Sequence, residues 1–336
     1  MTGEPSRASA QPRTCPSCGE PVWAGDNFCE SCRADLTTAD RAGRCAFCES
    51  GIVSADGYCD SCWRKAPAAR DHVQIDLGVL AGVTDRGLRH VRNEDAMALA
   101  AEPTPAGRTA IAVVCDGVSG SDRPDEAARA AADAALELLV AAARAGTDPA
   151  AASSQAVQAA QAAVAALQLA ATESQLEAPS ATFVSALVTQ REVTVCWLGD
   201  SRAYWLDARS PAAAQRLTTD DSLAAEMVSA GLLSESDAMA SPQAHMVTGW
   251  LGADGSLASP HLTRFTPPGP GVVLLCSDGL WNYEPDAGRL AARVQPSADT
   301  SLLPSARSLV EFALTAGGRD NITVALVLFP TDSANR

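Results

Sequence analysis

From Val73 onward, short apolar runs alternate with long alanine-rich stretches. QIDLGVLAGVT and RTAIAVVCDG each read as a strand ending at a turn or an acid. Pro124, Asp125 and Glu126 fit the first turn of a helix running to about Arg144, because proline suits N1 and acids suit a helix N-terminus. Asp148 and Pro149 open a second helix, to about Thr172. Strands return in ATFVSALVT, EVTVCWLGD and RAYWLD. LTTDDSLAAEMVSAGLL reads as a helix that stops near Gly231, and a looser segment then leads to the strand GVVLLCSDG. A last helix, about Ser305–Ala316, stops at Gly317-Gly318 and is followed by the strand NITVALVLF. Strands in blocks with helices between them predict an α+β layered domain, antiparallel sheets flanked by helices. No G-x-G-x-x-G occurs in a strand–helix context, so no dinucleotide site is expected.

Length and composition add a second, smaller part. The chain has 336 residues, 47% of them hydrophobic, enough for a sizeable core and something more. Eight of the 11 cysteines fall in residues 15–62, in two copies of C-x2-C-x10-C-x2-C offset by thirty residues. The first copy is Cys15, Cys18, Cys29 and Cys32; the second is Cys45, Cys48, Cys59 and Cys62. Each C-x2-C places two thiolates on one tight turn, with Gly19 and Gly51 suiting the bend, and two such turns complete a tetrahedral S4 zinc site. A disulfide framework is the competing reading, and the absence of a secretion-type signal at the N-terminus speaks against it. The repeat resembles a double zinc ribbon, closed and therefore structural, with two Zn2+ that such small units need in order to fold. Residues 1–14 read as a disordered polar tail, 63–72 as a linker and 73–332 as the large domain.

Charge narrows the partners. The net charge is −15, with 8 Lys and Arg against 9 Asp and Glu in residues 1–70, so the negative charge lies in the large domain. Phosphates would be repelled, which makes nucleic acid an unlikely partner and leaves protein contact as the expected role of the ribbons. No apolar run is long enough to span a membrane, and a cytoplasmic protein is expected.

Four acids stand at strand ends: Asp116 in VVCDGVSG, Asp200 in CWLGDSR, Asp278 in LLCSDGLW and Asp320 in GRDNITV. Each alone is readable as a turn residue. Together, joined by Glu94-Asp95, they suggest an oxygen-rich cluster suited to Mg2+ or Mn2+. Two such ions about 3.5–4 Å apart can lower the pKa of a shared water towards ~7 and clamp a phosphoryl group. GLRHVRNEDA places Arg89, His90 and Arg92 directly before Glu94 and Asp95, in a chain holding 25 Lys and Arg against 40 Asp and Glu. Two readings stand: a solvated turn of mixed charge, or an anion site beside a carboxylate-bound metal.

The segments RNEDA, VVCDGVSG, SATFVSALV, WLGDSRAYWL, LTTDDSLAAEMVSAGLL, LLCSDGLW and GGRDNITVALV follow one another in an order and spacing that resemble a known family. Residues 78–330 resemble a metal-dependent Ser/Thr protein phosphatase of the type 2C (PPM) family, bacterial type. The resemblance implies two antiparallel β-sheets sandwiched between α-helices, with metals at one edge. It implies that Asp116 bridges two Mn2+ or Mg2+ ions, that the Gly117 carbonyl holds the first, and that Asp278 and Asp320 hold the second. Asp200 with Asp278 would form a third, weaker site, and Glu94 and Asp95 would act through metal-bound waters. A metal-bridging water would attack phosphoserine or phosphothreonine in phosphoproteins, opposing Ser/Thr kinases. Ser222–His245 corresponds to the variable flap beside the substrate.

The chain departs from the family where phosphate is handled. His90 stands where the family has a phosphate-gripping arginine, and Ser121 where it has a candidate proton-donating histidine. Asp220-Asp221-Ser222 replaces a D-H-S that begins the flap region. His90 is expected to bind phosphate as a cation or to donate the leaving-group proton, its reference pKa being about 6.5. Arg92 is the stand-in if residues 90 and 92 share a face, Arg89 is a third candidate, and a histidine that merely packs remains open. The altered residues also leave room for an alternative function, a pseudophosphatase or adaptor that binds partners without efficient catalysis.

Overall fold

The computed structural model describes residues 13–14, 21–22, 48, 50–54, 58–63, 66, 68–104, 107–169, 177–234, 237–238, 241, 246–253, 259–294 and 301–331. The chain divides into two compact units, residues 1–67 and 68–336. In the first, Arg13–Thr14 pairs antiparallel with Pro21–Val22, and Val53 bridges Cys59.

The second unit is built from β1 (His72–Asp76), β2 (Leu80–Asp85), β3 (Ala96–Thr104), β4 (Gly107–Cys115), α1 (Pro124–Ala145) and α2 (Pro149–Leu169). There follow β5 (Phe183–Val188), β6 (Val193–Leu198), β7 (Arg202–Asp207), α3 (Leu223–Ser229), β8 (His261–Phe265) and β9 (Gly271–Cys276). The chain then runs through α4 (Asp278–Trp281), α5 (Ala287–Arg293), α6 (Leu303–Ala316) and β10 (Ile322–Phe329). One sheet has the order β7-β9-β10-β2-β1, with Gln215–Arg216 as an extra edge on β7; the other runs β8-β6-β5-β4-β3, and every pairing is antiparallel.

Three cores stack these elements into four layers. Val114, Val184, Val195, Trp205, Leu275 and Val327 interdigitate between the sheets. Alanines 127, 128, 131, 132 and 135 of α1 recur at helical spacing and pack on β3 and β4, their small side chains letting α2 approach as well. Leu290, Ala306, Leu309 and Val310 cover the other sheet from α5 and α6. Helix α1 begins with Pro124 as the pattern predicts and ends at Gly146, left-handed at φ 70°, whose N–H donates to the carbonyls of Ala142 and Ala143.

Several elements differ from the sequence reading. QIDLGVLAGVT is not one strand but the hairpin β1–β2, turned at Gly78 with φ 75°. β3, β8 and α5 were not anticipated: AMALAAEPT is alanine-rich and ends in proline, and β8 is an edge strand with an exposed face. α6 begins at Leu303, because Pro304 serves its first turn. Residues 63–72 are not all linker. Ala69–Asp71 forms a 3-10 turn with Asp71 buried, and His72 starts β1. No described helix is long and apolar enough to cross a membrane.

Candidate metal centre and anion site

The strand ends converge at one edge of the sandwich. Ala96 at the start of β3 pairs with Cys115 at the end of β4, which sets Glu94-Asp95 beside Asp116. Asp278 follows β9 and Asp320 precedes β10, and Val324 pairs with Cys276. Asp200 lies on the turn between β6 and β7, its carbonyl accepting from Trp281 Nε1 at 2.9 Å. Glycine makes the close approaches possible. A Cβ on Gly117 would stand 2.5 Å from the Pro124 carbonyl oxygen and 2.7 Å from that of Glu94. On Gly279 it would stand 1.9 Å from the Asn321 carbonyl oxygen. Gly117 thus packs directly on the backbone of Glu94 and Pro124, its N–H donating to the Glu94 carbonyl at 3.2 Å.

The acids feel one another strongly. Burial, then the charges of Asp95, Asp278, Asp200 and Asp320, push Asp116 well above the carboxylate range. Burial, then Asp200, Asp320 and Asp95, do the same to Asp278. Asp95 is pushed up to about 7, by burial foremost, against hydrogen bonds from Ser277 and Thr323 that hold it down. Asp200 also reaches about 7, through burial and the charge of Asp220, partly opposed by Arg202. Asp95 Oδ1 and Asp278 Oδ1 are buried and accept no hydrogen bond. Clustered acids with two unpartnered buried oxygens need a cation to be stable in ionised form, and an all-oxygen donor set suits Mg2+ or Mn2+. Among the described residues no three of these carboxylates bring oxygens within 4.8 Å of one another. The described carboxylates therefore do not by themselves form a closed three-ligand cage.

The supporting shell is largely polar and buried, and sequence reading missed most of it. Asp95 Oδ2 accepts from Ser277 Oγ and Thr323 Oγ1, both at 2.7 Å. Thr323 Oγ1 lies 2.6 Å from Thr84 Oγ1, which accepts from Asn93 Nδ2 at 2.8 Å. The Asn93 N–H in turn donates to Asp71 Oδ1 at 3.2 Å. A continuous chain thus runs from the segment after the first unit to Asp95, and every member is buried. Asn321 staples the same loop, accepting from Glu94 N–H at 2.8 Å and donating to the carbonyls of Arg86 and Arg92. The only hint in sequence was the repeated pairing of Asn with Asp and Glu in RNED and RDN.

The basic residues separate. His90 Nε2 lies 3.1 Å from Asp320 Oδ1, at the edge of the acid cluster. Arg92 is drawn to Asp125 at the start of α1, Nη1 to Oδ1 3.1 Å, and shares that carboxylate with Arg70 at 2.9 Å. Arg89 is exposed. Glu94 Oε2 accepts from Ser119 Oγ at 3.0 Å. Ser121 Oγ accepts from Ser180 N–H at 3.2 Å. In the flap region Ser222 caps α3, accepting from Ala225 N–H at 3.3 Å, while residues 242–245 lie outside the described residues.

His72 and His261 both lie on strands. His72 starts β1 against Asp85, and His261 on β8 stacks on Trp197 and lies 2.7 Å from Asp221. Cys115, Cys196 and Cys276 are buried core residues.

In the first unit Cys15, Cys18, Cys29, Cys32 and Cys45 lie outside the described residues. Cys48, Cys59 and Cys62 come together, all Sγ atoms within 4.8 Å of one another. Cys48 and Cys59 Sγ are 3.6 Å apart. Hydrogen bonds from Ser50, foremost its side chain, and from the Gly51 N–H lower the Cys48 thiol to about 6.

Comparison with known proteins bears on the second unit. Residues 86–312 match the family model described as protein phosphatase 2C. The serine/threonine phosphatase stp of Listeria innocua is 34% identical over 160 residues, 47% of this chain and 60% of that protein. The chain therefore spans 60% of the length of that curated relative. The crystal structure of the Mycobacterium tuberculosis serine/threonine phosphatase PstP/Ppp superposes with a TM-score of 0.61 at 27% identity, over 74% of this chain and 97% of that one. A structure of the PstP catalytic domain in complex with two manganese ions gives 0.59 at 28% identity, over 74% and 97% of the two chains.

Proposed function

Because the chain belongs to the protein phosphatase 2C family, we propose that it hydrolyses phosphoserine and phosphothreonine in proteins with Mn2+ or Mg2+, opposing Ser/Thr kinases. The observation carrying this reading is the buried acid cluster, in which Asp95 Oδ1 and Asp278 Oδ1 accept no hydrogen bond. Asp116, Asp278, Asp320 and the Gly117 carbonyl are the principal donors, with Asp200 completing a third position and Glu94 and Asp95 contributing from behind. When bound, the ions supply an activated water and neutralise phosphoryl charge.

The chain's own residues do the remaining work. The Ser277–Thr323–Thr84–Asn93 hydrogen bonds fix Asp95, and Asn321 fixes the loop carrying Glu94. His90, beside Asp320, is the residue that meets the substrate phosphate or protonates the leaving alkoxide. Arg92, engaged by Asp125, holds the loop in place. Release of inorganic phosphate from phosphoserine and phosphothreonine peptides, with Mn2+ and with chelator, tests the reading. Equal release in both would refute it.

The cysteine repeat is read as two structural zinc ribbons that contact partner proteins. A tetrahedron of Zn–S bonds about 2.3 Å long has edges of about 3.8 Å, and the Cys48–Cys59 separation of 3.6 Å is close to that. A thiol lowered to about 6 is ready to ligate as thiolate at neutral pH. Cys45 would complete this set, and the identical spacing assigns Cys15, Cys18, Cys29 and Cys32 to a second ion.

A further inference from the structure

Resting on the phosphatase reading above, we propose that Arg89 and Arg319 form a cationic rim that selects phosphorylated peptides with acidic residues flanking the phosphate. The arginines around the site are otherwise committed to acids. Arg70 and Arg92 hold Asp125, Arg86 lies 3.8 Å from Asp71, and Arg202 is buried against Asp220. Arg89 and Arg319 are both exposed, and neither has an acid within ion-pair distance among the described residues. What sets these two arginines apart is their place, each next in sequence to a residue of the His90–Asp320 pair.

Those two loops are joined. Leu88 N–H donates to the Gly318 carbonyl at 2.8 Å, and His90 reaches Asp320 at 3.1 Å. Arg319 N–H donates to the Tyr283 hydroxyl at 2.9 Å, which fixes the backbone from which its side chain projects. Arg89 and Arg319 are thus carried by two joined loops, each next in sequence to one member of the His90–Asp320 pair. Leu88 and Val91 on the same loop, 67% and 54% exposed, add apolar surface beside Arg89. The net charge of −15 repels an acidic peptide at long range. At physiological ionic strength the Debye length is about 8 Å, so distant acids are screened and the nearest charges decide which flanks are accepted.

The test uses three phosphoserine peptides identical except for flanking Asp/Glu, Ser/Gln or Lys/Arg, with kcat/KM measured in Mn2+ on the full chain, Arg89→Gln, Arg319→Gln and the double variant. The expected order is acidic, neutral, basic. Each substitution should reduce the acidic-to-basic ratio by about two- to fivefold, the range for exposed charge pairs. If no peptide is turned over, the phosphatase reading fails, and fluorescence anisotropy of the same labelled peptides judges the rim on its own. Equal constants, a preference for basic flanks, a ratio unmoved in the double variant, or no binding of any peptide overturns the proposal.

Discussion

Without divalent metal, the acid cluster should make the large unit less stable as pH rises from about 4 to about 7. Asp95 and Asp200 are 8% and 4% exposed, and both rise from 3.8 to about 7 in the folded chain. Between those values the native state keeps protons that the unfolded state has released. The associated stability is present below about pH 4 and is lost as pH passes through about 7. At 1.36 kcal/mol per pKa unit, each group accounts for about 4 kcal/mol, and Asp116 and Asp278 shift in the same direction. Against a typical total of about 5–15 kcal/mol, such a loss is large. Urea unfolding followed by circular dichroism, at several pH values in Mn2+-free solution, reads it directly. Saturating Mn2+ should flatten the slope, since a ligand at about 100 times its Kd adds about 2.7 kcal/mol and keeps the acids ionised. Asp278→Asn removes one of the interacting charges and should flatten it without metal. Stability that stays level or rises with pH in metal-free solution would refute the reasoning.

Asp71→Ala leaves the N–H groups of Asn93 and Ala68 without their acceptor. It should cost about 1–3 kcal/mol and raise the Mn2+ concentration for half-maximal activity more than the KM for substrate, as a metal titration will show. Arg202→Ala leaves the buried Asp220 with only the distant Arg216, 4.0 Å away, as a partner; a loss of about 3 kcal/mol in urea unfolding is expected, and a loss below about 1 kcal/mol would contradict the pairing. The thiols should hold two Zn2+ per chain, released stoichiometrically when a mercurial titrates the cysteines; Cys59→Ser should release one and leave the large unit's melting unchanged.

The acids at the strand ends were legible because each broke an apolar run beside a glycine or asparagine, and buried charge has few other uses. Long elements were legible too: α1 and α2 announce themselves by proline, acids and uninterrupted alanine. β8 and β3 were not, because an edge strand and an alanine-rich strand carry little of the alternating pattern. The environment of the basic residues was also hidden. Local spacing put Arg92 beside His90, whereas Asp125, 33 positions away in sequence, draws it off. Thr84, Thr323 and Ser277 are ordinary residues in apolar strands or at their ends, and only the fold reveals that they hold Asp95.

The central claim, that the clustered acids bind the metal for phosphate ester hydrolysis, is tested most directly by p-nitrophenyl phosphate hydrolysis across a Mn2+ titration. The comparison is between the natural chain and Asp278→Asn. The account predicts saturable, Mn2+-dependent turnover in the natural chain and its loss in the variant. A folded natural chain that binds Mn2+ and turns over nothing would contradict it, and would point instead to a domain that binds partners without catalysis.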